Sequence, residues 1–291
     1  MMYEIFAQTD QGRVRKNNED AMAFDPDTGL CLLADGMGGY NAGEVAAGMA
    51  TRSVLADLGA WLDRLPRPVA PHHVSSALEI CIENANRAIY SAAHAQPQWV
   101  GMGTTLVAAV FCPTHVVVGH VGDSRCYRVR GGALEQLTRD HSWLQEQLDA
   151  GSITAQQAAQ SSQRHLVTRA LGIERTVRAE VNEHALHSGD LLLLCSDGLS
   201  EMLGDADMLA IADSRAPLQD KVQCLVNAAN LRGGRDNISV VLVQAGPAPT
   251  DRPALAPQPN ALAPLSPPVD TTTASPGGRK RNLLPRWLRN A

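Results

Sequence analysis

Four apolar runs of this chain each meet a turn at an aspartate, and this repeated junction constrains how the chain can fold. The junctions are LCLLADGMGG at Asp35, VVVGHVGDSR at Asp123, LLLLCSDGLS at Asp197 and RGGRDNISVVLV at Asp236. An aspartate beside a turn is by itself a common turn signal, so one such junction predicts no more than a turn. If the fold brings the four junctions together, however, their carboxylates would form a cage for hard divalent cations.

The composition indicates a globular protein with an acidic body. Of the 291 residues, 44% are hydrophobic and 19% are charged, which is enough to build a full core in one large or two small domains. Residues 1–246 hold 19 basic and 28 acidic side chains, a net charge of −9, whereas residues 247–291 carry a net charge of +4. Because affinity for nucleic acid comes largely from Lys and Arg, the acidic body argues against a nucleic-acid partner.

The pattern of cysteines and the lack of long apolar runs favour a protein of the reducing cytoplasm. Six cysteines are scattered along the chain without a CxxC pair, and most lie in apolar runs, which favours reduced core thiols over disulfides or a zinc site. No run resembles a signal peptide or approaches the roughly 20 apolar residues of a membrane helix. We therefore expect a cytoplasmic protein without a transmembrane segment.

The hydrophobic periodicity predicts runs of strands interspersed with pairs of helices. Amphipathic helices are predicted at 41–65, 72–95, 205–213 and 218–230. Strand-like runs occupy residues 2–9, 21–25, 29–34, 104–112, 115–122, 124–132, 133–138, 177–186, 190–196 and 237–245. The four runs from 104 to 138 have hairpin-length connections, which predicts an antiparallel meander. This order favours an α+β fold in which two largely antiparallel sheets carry helices on their outer faces.

Three segments depart from this pattern. Residues 141–166 are polar and rich in Gln and Ser, and we expect them to form a helical, mobile flap over a surface. Residues 246–278 have many prolines and few large apolar side chains, so we predict a disordered linker after a domain at 1–245. Residues 279–291 combine five basic side chains with leucines and a tryptophan, which suits contact with a partner or a membrane surface, or else a solvated basic tail.

The residue types near the four aspartates favour phosphoryl chemistry. No His or Cys lies beside them at a ligand-like spacing, and a set of oxygen ligands selects Mg²⁺ or Mn²⁺ over zinc. Two such cations close together lower the pKa of water and supply a nucleophile for in-line attack on phosphorus. Arg15 can hold two phosphoryl oxygens at once, and it lies four and five residues before Glu19 and Asp20.

The glycines after Asp35 do not match the glycine motifs of dinucleotide-binding proteins. We expect Gly36, Gly38 and Gly39 to allow positive φ angles and to let a backbone carbonyl approach a cation. GMGGYN does not fit a dinucleotide fingerprint, because Asn41 occupies the place of its third glycine. The chain also contains no P-loop and no GxSxG elbow, which disfavours P-loop chemistry and serine hydrolysis.

Eight segments in order across residues 3–245 carry a family resemblance. They are TDQGRVRKNNED, LLADGMGGYNAGEVAA, MGTTLVAAV, HVGDSRCYRVRGG, LTRDHS, VTRALG, DLLLLCSDGL and GGRDNISVVLV. In this order they resemble the metal-dependent serine/threonine phosphatases of the protein phosphatase 2C type, and the DGMGG form is similar to the bacterial branch. The resemblance implies a four-layer αββα sandwich, with two mostly antiparallel β-sheets flanked by pairs of helices and a dinuclear site at one end between the sheets.

The resemblance also implies which residues bind the metals and act in catalysis. Asp35 would bridge two Mg²⁺ or Mn²⁺ ions, and the carbonyl of Gly36 would bind one of them. Asp197 and Asp236 would bind the other ion. The same carboxylates, together with Arg15, would be the catalytic residues.

The remaining site residues have supporting roles in this comparison. Glu19 and Asp20 would lie close to the ions and hold their waters, and Asp123 would join Asp197 at a weaker, third ion. Arg15 would grip the phosphate of the substrate, while Asn237 would orient the neighbouring Asp236.

The resemblance implies phosphorylated Ser/Thr proteins as substrates, including a cognate Ser/Thr kinase, and we expect a monomer. Many eukaryotic relatives have a histidine directly after the Asp-Gly that is suggested to protonate the leaving group, but Met37 occupies that position and has no proton to donate. The general acid is therefore left unassigned. Two alternatives stay open, namely a catalytically silent scaffold that binds phosphoproteins and a phosphatase of small phosphorylated metabolites.

Overall fold

The structure is a computed structural model that describes residues 3–38, 42–66, 68–159, 161, 163 and 166–246. Gly39, the predicted linker beyond Gly246 and the basic tail lie outside the described residues. Among those that are described, no helix is both long and apolar enough to cross a bilayer.

Eleven strands within the described residues form two β-sheets. In chain order they are β1 (Tyr3–Asp10), β2 (Asp20–Asp25), β3 (Leu30–Met37), β4 (Gly103–Thr104), β5 (Leu106–Phe111), β6 (His115–Val121), β7 (Arg125–Arg130), β8 (Ala133–Gln136), β9 (Glu180–Ala185), β10 (Leu191–Cys195) and β11 (Ile238–Ala245). One sheet has the order β1-β11-β10-β7-β8, and the other has the order β2-β3-β5-β6-β9 with β4 added to the end of β3. All the paired strands are antiparallel, as the sequence predicts.

Helices cover the outer faces of both sheets. The described helices are α1 (Ala42–Asp63), α2 (Pro71–Ala95), α3 (Trp143–Asp149), α4 (Ala155–Ala159), α5 (Asp197–Ser200), α6 (Asp205–Ala212) and α7 (Leu218–Leu231), with a 3₁₀ turn at Pro97–Trp99. The predicted long helices agree with α1 and α2 within two residues at each end. Proline at the first turn of α2 suits a helix start, because that position needs no hydrogen-bonded amide.

Three apolar layers hold the sandwich together. Alternate residues of β3 point to opposite faces: Leu32 packs against α1 and α2, whereas Leu33 packs between the two sheets. On the far side, Leu193 and Leu242 of the five-stranded sheet pack against α6 and α7. Fully burying a leucine stabilises a fold by roughly 1.5–3 kcal/mol, so these layers fix the order helix, sheet, sheet, helix. The predicted α+β sandwich is confirmed.

The meander predicted between residues 104 and 138 is wrong at its middle step, whereas its first and last antiparallel pairs, β5–β6 and β7–β8, are confirmed. Strand β6 pairs with β5 and β9 in one sheet, whereas β7 pairs with β10 and β8 in the other sheet. The turn at Gly122–Ser124 therefore passes the chain from one sheet to the facing sheet. A short Gly-Asp turn between two apolar runs has the same local pattern in both cases, so the sequence alone favoured the hairpin.

Two further details differ from the sequence expectations. Asp35 lies inside β3, not at a turn, because the strand continues through Gly36 and Met37 by pairing with β4. Asp197 begins a single helical turn, α5, which is too short to have a detectable period. The region predicted as a helical flap does contain helices, α3 and α4.

Candidate metal centre

The predicted site residues converge at one end of the sandwich. A cleft of about 660 Å³ is lined by Arg15, Glu19, Asp35, Gly36, Asp123, Asp197 and Asp236, among others. Asp20 does not line the cleft but lies directly beside it, since it pairs with Asp35 across strands β2 and β3. Asp35, Asp123, Asp197 and Asp236, separated by up to 201 residues in sequence, thus share one cleft, whose described lining also includes Arg15 and Arg235.

The backbone of Asp35 is held by two threonines of the MGTTL segment. The Asp35 N–H donates to Oγ1 of Thr105 at 3.0 Å, and the Asp35 carbonyl accepts from the Thr105 N–H at 2.9 Å. The Thr104 hydroxyl donates to the same carbonyl at 2.8 Å. Sequence reasoning did not assign these threonines a role, because a hydroxyl inside a strand-like run looks the same whether or not it has a distant partner.

Gly36 is required by close approach and not by its φ angle. A Cβ added there would collide with the carbonyl oxygens of Gly43 and Glu19. The Gly36 N–H donates to the Glu19 carbonyl at 3.2 Å, so the start of helix α1 and the end of the Glu19 loop meet at this residue. The expectation of a positive φ at Gly36 is therefore wrong, since the residue continues strand β3.

Asp20 is anchored by two serines from distant strands. Its Oδ2 accepts from the hydroxyl of Ser239 at 2.6 Å and from the hydroxyl of Ser196 at 2.9 Å. The Ser196 hydroxyl in turn accepts from the Ser239 N–H at 3.0 Å, which joins the ends of β10 and β11 beneath the site. These serines were also missed, because they lie 176 and 219 residues away from Asp20.

Asn237 organises the loop that carries Arg15. Its carboxamide oxygen accepts from the Glu19 N–H at 2.8 Å, and its amide nitrogen donates to the carbonyls of Gln11 and Asn17 at 3.0 and 2.9 Å. The Asn237 N–H donates to Oδ1 of Asp236 at 2.8 Å. The side chain thus holds the loop, and only the backbone contacts the neighbouring aspartate.

Arg15 contacts the carboxylate at the far edge of the cleft. Its Nη2 donates to Oδ2 of Asp236 at 2.6 Å, while about half of the Arg15 side chain stays exposed to solvent. The hydrogen bond with Asp236 raises the pKa of Arg15 above its usual value. A cation with free donors therefore faces the cleft from a position next to its carboxylates.

The crowded carboxylates lose hydration and repel one another. Loss of hydration raises the pKa of Asp35 well above its usual range, and the charges of Asp20 and Asp197 raise it further. The pKa of Asp197 is raised in the same way, by burial first and then by Asp123 and Asp236. Burial also raises the pKa of Asp20 to about 6, although the serine hydroxyls oppose it.

These features fit a site for hard divalent cations. Oδ1 of Asp20 and Oδ1 of Asp197 are buried, and neither has a hydrogen-bond partner among the described residues. An unpartnered buried oxygen costs free energy, and several carboxylates at close range add repulsion that positive charge would remove. Because the donors are all oxygens, they suit Mg²⁺ or Mn²⁺ better than zinc.

A family match covers most of the described chain. The model of the family described as protein phosphatase 2C matches residues 8–234. The chain belongs to the protein phosphatase 2C family. Among curated relatives, a serine/threonine phosphatase from Listeria innocua is 38% identical over 240 residues, which is 81% of this chain and 94% of that protein. The chain is accordingly a protein serine/threonine phosphatase.

Solved structures of the same family share the fold. A serine/threonine phosphatase from Mycobacterium tuberculosis, PstP/Ppp, has a TM-score of 0.77 at 34% identity, covering 84% of this chain and all of that chain. A structure of the PstP catalytic domain in complex with two manganese ions has a TM-score of 0.74 at 34% identity, covering 84% of this chain and 99% of that one.

Apolar side chains form part of the cleft wall. Met37, Leu166 and Met202 line the cleft beside the carboxylates, and none of the described lining residues is a histidine. The described part of the cleft wall is therefore partly apolar.

Proposed function

We propose that the cleft hydrolyses phosphoserine and phosphothreonine on proteins with a dinuclear Mg²⁺ or Mn²⁺ centre. Asp35 and the Gly36 carbonyl, with Asp197 and Asp236, would hold the two ions. The observation that supports this most directly is the convergence of these carboxylates in one cleft, where Oδ1 of Asp197 is buried and has no hydrogen-bond partner among the described residues. When bound, such a pair of cations lowers the pKa of water and neutralises charge on the reacting phosphoryl group.

The supporting carboxylates would complete this centre. Glu19 lies at the cleft wall and Asp20 lies beneath it, where both can accept hydrogen bonds from water around the ions. Asp123 lines the cleft together with Asp197, and we assign to this pair a third, weaker ion. The serine hydroxyls hold one carboxylate oxygen of Asp20, and the threonine hydroxyls hold the backbone of Asp35, so both residues are positioned without an ion.

Arg15 would bind the phosphate of the substrate. A guanidinium is planar and can donate to two phosphoryl oxygens, and its contact with Asp236 leaves other N–H groups directed to solvent. The negative cleft would repel a phosphate on its own, so this arginine and the bound cations together supply the positive charge that the substrate requires.

The site and composition suggest where this reaction takes place. We propose phosphorylated proteins as substrates, including a cognate Ser/Thr kinase, and a monomeric enzyme that acts in the cytoplasm. The scattered, largely buried cysteines support a reducing compartment. The catalytic domain would comprise residues 1–245, followed by the linker at 246–278 and the basic tail at 279–291.

Phosphate release from defined substrates tests this function. With millimolar Mn²⁺ or Mg²⁺, we expect the full-length protein to release phosphate from a phosphothreonine peptide and from an aryl phosphate, and we expect a chelator to abolish both activities. Rates on phosphorylated metabolites, measured beside the peptide, should be lower. If Mn²⁺ supports no release from any phosphopeptide or aryl phosphate, the proposed reaction is wrong.

Replacing Arg15 separates charge from geometry in phosphate binding. We expect Arg15→Ala to lower kcat/KM on the phosphopeptide by roughly 10–100-fold, because hydrogen bonds to a charged group contribute about 1.5–3 kcal/mol. Arg15→Lys should recover part of this loss, since lysine keeps the charge but not the two-donor fork. Steady-state kinetics at saturating Mn²⁺ would measure both variants.

Arg13 provides a matched control for that experiment. It lies two residues earlier in the same loop, its side chain is exposed, and it does not line the cleft. Arg13→Ala should leave kcat/KM within about twofold of the wild type, as expected for an exposed surface charge. Wild-type kinetics in Arg15→Ala would show that phosphate is held by other groups.

A further inference from the structure

The LTRDHS segment, residues 137–142, packs along the turn that carries Asp123. The Leu137 N–H donates to the Cys126 carbonyl at 2.8 Å, and the Thr138 hydroxyl accepts from the Cys126 N–H at 3.1 Å. Next, both carboxylate oxygens of Asp140 accept from Nε of Arg125, and Oδ2 also accepts from Nη2. Leu137, Thr138 and Asp140 are thus hydrogen-bonded to residues 125 and 126, and the next residue, His141, lies opposite Gly122.

His141 grips Gly122 from both sides of its backbone. The His141 N–H donates to the Gly122 carbonyl at 2.9 Å, and the Gly122 N–H donates to Nδ1 of His141 at 3.1 Å. Gly122 has a φ of 103°, and a Cβ added there would lie 2.6 Å from a methyl carbon of Thr105. The backbone at this point therefore has little freedom, and His141 satisfies both of its polar groups.

The gripped turn connects to the centre of the site. Asp123 follows Gly122 and lines the cleft. Ser124 then shares a 2.7 Å hydrogen bond between its hydroxyl and that of Thr105, whose hydroxyl accepts from the Asp35 N–H. A displacement of Gly122 would thus move Asp123 directly, and it would reach Asp35 through Ser124 and Thr105.

The same histidine closes the base of the flap. The His141 carbonyl accepts from the Thr168 N–H at 2.8 Å, and the Trp143 N–H donates to the Leu166 carbonyl at 2.8 Å. Ser142 and Val167 form an antiparallel bridge between these two contacts. Leu166 and Val167 also line the cleft, so the flap base and the Asp123 turn meet at His141.

The neighbours of His141 raise the question of a second metal site. His120, His141 and Glu180 place one ligand atom each within 4.8 Å of one another, and the two imidazole rings stack at 4.6 Å. However, a backbone N–H can only donate, so Nδ1 of His141 must carry its lone pair towards Gly122 and the proton of the neutral ring must sit on Nε2.

Neither nitrogen of His141 is then free to bind a metal. The protonated Nε2 faces Oε2 of Glu180 at 3.7 Å. Nη1 of Arg169 lies 3.4 Å from the same nitrogen; since both groups are donors in this tautomer, they make no hydrogen bond, and the guanidinium charge would repel a cation. His120 likewise donates from Nε2 to the Arg139 carbonyl at 2.8 Å. Burial lowers the pKa of His141 to about 4, with His120 adding to the effect, so the ring is neutral as its hydrogen bonds require.

We propose that His141 is a positioning residue of the phosphatase site, which fixes the Asp123 turn and joins it to the base of the flap. The proposal rests on the proposed function only in giving Asp123 an ion to bind. Its structural part, the coupling of Gly122 to the flap base, requires no metal.

Two substitutions at His141, by asparagine and by glutamine, test the coupling in the full-length protein with a chelator present. In asparagine, Oδ1 is bonded to Cγ as Nδ1 is in histidine, so His141→Asn can still accept from Gly122, whereas His141→Gln displaces its oxygen by one bond. We expect hydrogen exchange at the Gly122 and Thr168 amides to become faster by about tenfold or more in His141→Gln and to stay near wild type in His141→Asn. The amide of Leu225 in α7 should not change in either variant.

Mn²⁺ titration calorimetry then tests the link to the site. We expect the weakest Mn²⁺ site to lose about tenfold in affinity in His141→Gln and to be retained in His141→Asn. The proposal is overturned if the backbone amides of Gly122 and Thr168 exchange as fast in His141→Asn as in His141→Gln. It is also overturned if these amides exchange at the wild-type rate in His141→Gln. Should His141→Gln fail to fold, His141→Asn decides alone, because rapid exchange at its Gly122 amide would exclude the acceptor role. Failure of the phosphatase assay would leave the exchange result unaffected.

Discussion

Asp35→Asn should lower kcat by on the order of 10³-fold or more and at the same time raise the melting temperature of the metal-free protein. The loss of activity is expected because this carboxylate is the proposed bridge between the two ions. The gain in stability is expected because burial and neighbouring carboxylates raise the pKa of Asp35, so its charge is unfavourable when no cation is present. A gain of 1 kcal/mol corresponds to roughly 2–4 °C in a domain of this size.

Calorimetric melting with and without Mn²⁺, beside phosphate release, measures both effects of this substitution. Asp27→Asn is the matched control, since it makes the same chemical change at an exposed turn residue outside the cleft. We expect Mn²⁺ to stabilise the wild type and Asp27→Asn but to stabilise Asp35→Asn much less. An Asp35→Asn protein that turns over substrate at the wild-type rate would exclude the bridging role.

The metal-free protein should become less stable as the pH rises from about 4 to about 6. Burial raises the pKa of Asp20 and of Asp123 to about 6 in each case, above the value of about 3.9 in an unfolded chain. Within this window the folded state binds more protons than the unfolded state, so the free energy of unfolding falls as pH increases. For the two groups together we expect a loss on the order of 2–5 kcal/mol.

Mn²⁺ should reverse this loss, and more strongly at pH 7.5 than at pH 5, because the carboxylates must be ionised to bind it. Thermal melting in a chelator at several pH values, for the wild type and for Asp20→Asn combined with Asp123→Asn, isolates the two groups from other titrating side chains. The double variant should have a clearly shallower slope between pH 4 and 6, while Asp35 and Asp197, whose pKa values are also raised, retain part of the slope. A slope equal to that of the wild type would show that other groups cause it.

Much of the architecture could be predicted because its signals are local. The long helices α1 and α2 have a clear 3.6-residue period, and the apolar runs of β3, β5, β6, β10 and β11 are bounded by turn residues. The passage from β6 to β7 could not be predicted, since Gly122 and Asp123 suit a hairpin as well as a step between facing sheets. The choice depends on which strands lie nearby, and that information is not local.

The candidate site shows the same division. Asp35, Asp123, Asp197 and Asp236 were found because each has a recognisable local setting, and Arg15 because it belongs to a recognised segment. The residues that hold them, Thr105, Ser196, Ser239 and His141, were not assigned roles. Their hydrogen bonds reach partners 19 to 219 residues away, and a single hydroxyl or imidazole has no pattern that reveals such a partner.

The sequence by itself determined the chemistry of the site and the kind of elements that build it: oxygen donors suited to hard cations, an arginine suited to phosphate, and alternating strands and helices. Only the tertiary structure decided how those donors behave. It brought the aspartates into one partly buried cleft, where lost hydration and mutual repulsion raise their pKa values, and it joined the Asp123 turn to the flap through His141. Both outcomes depend on distances between residues far apart in the chain, which packing of the two sheets sets.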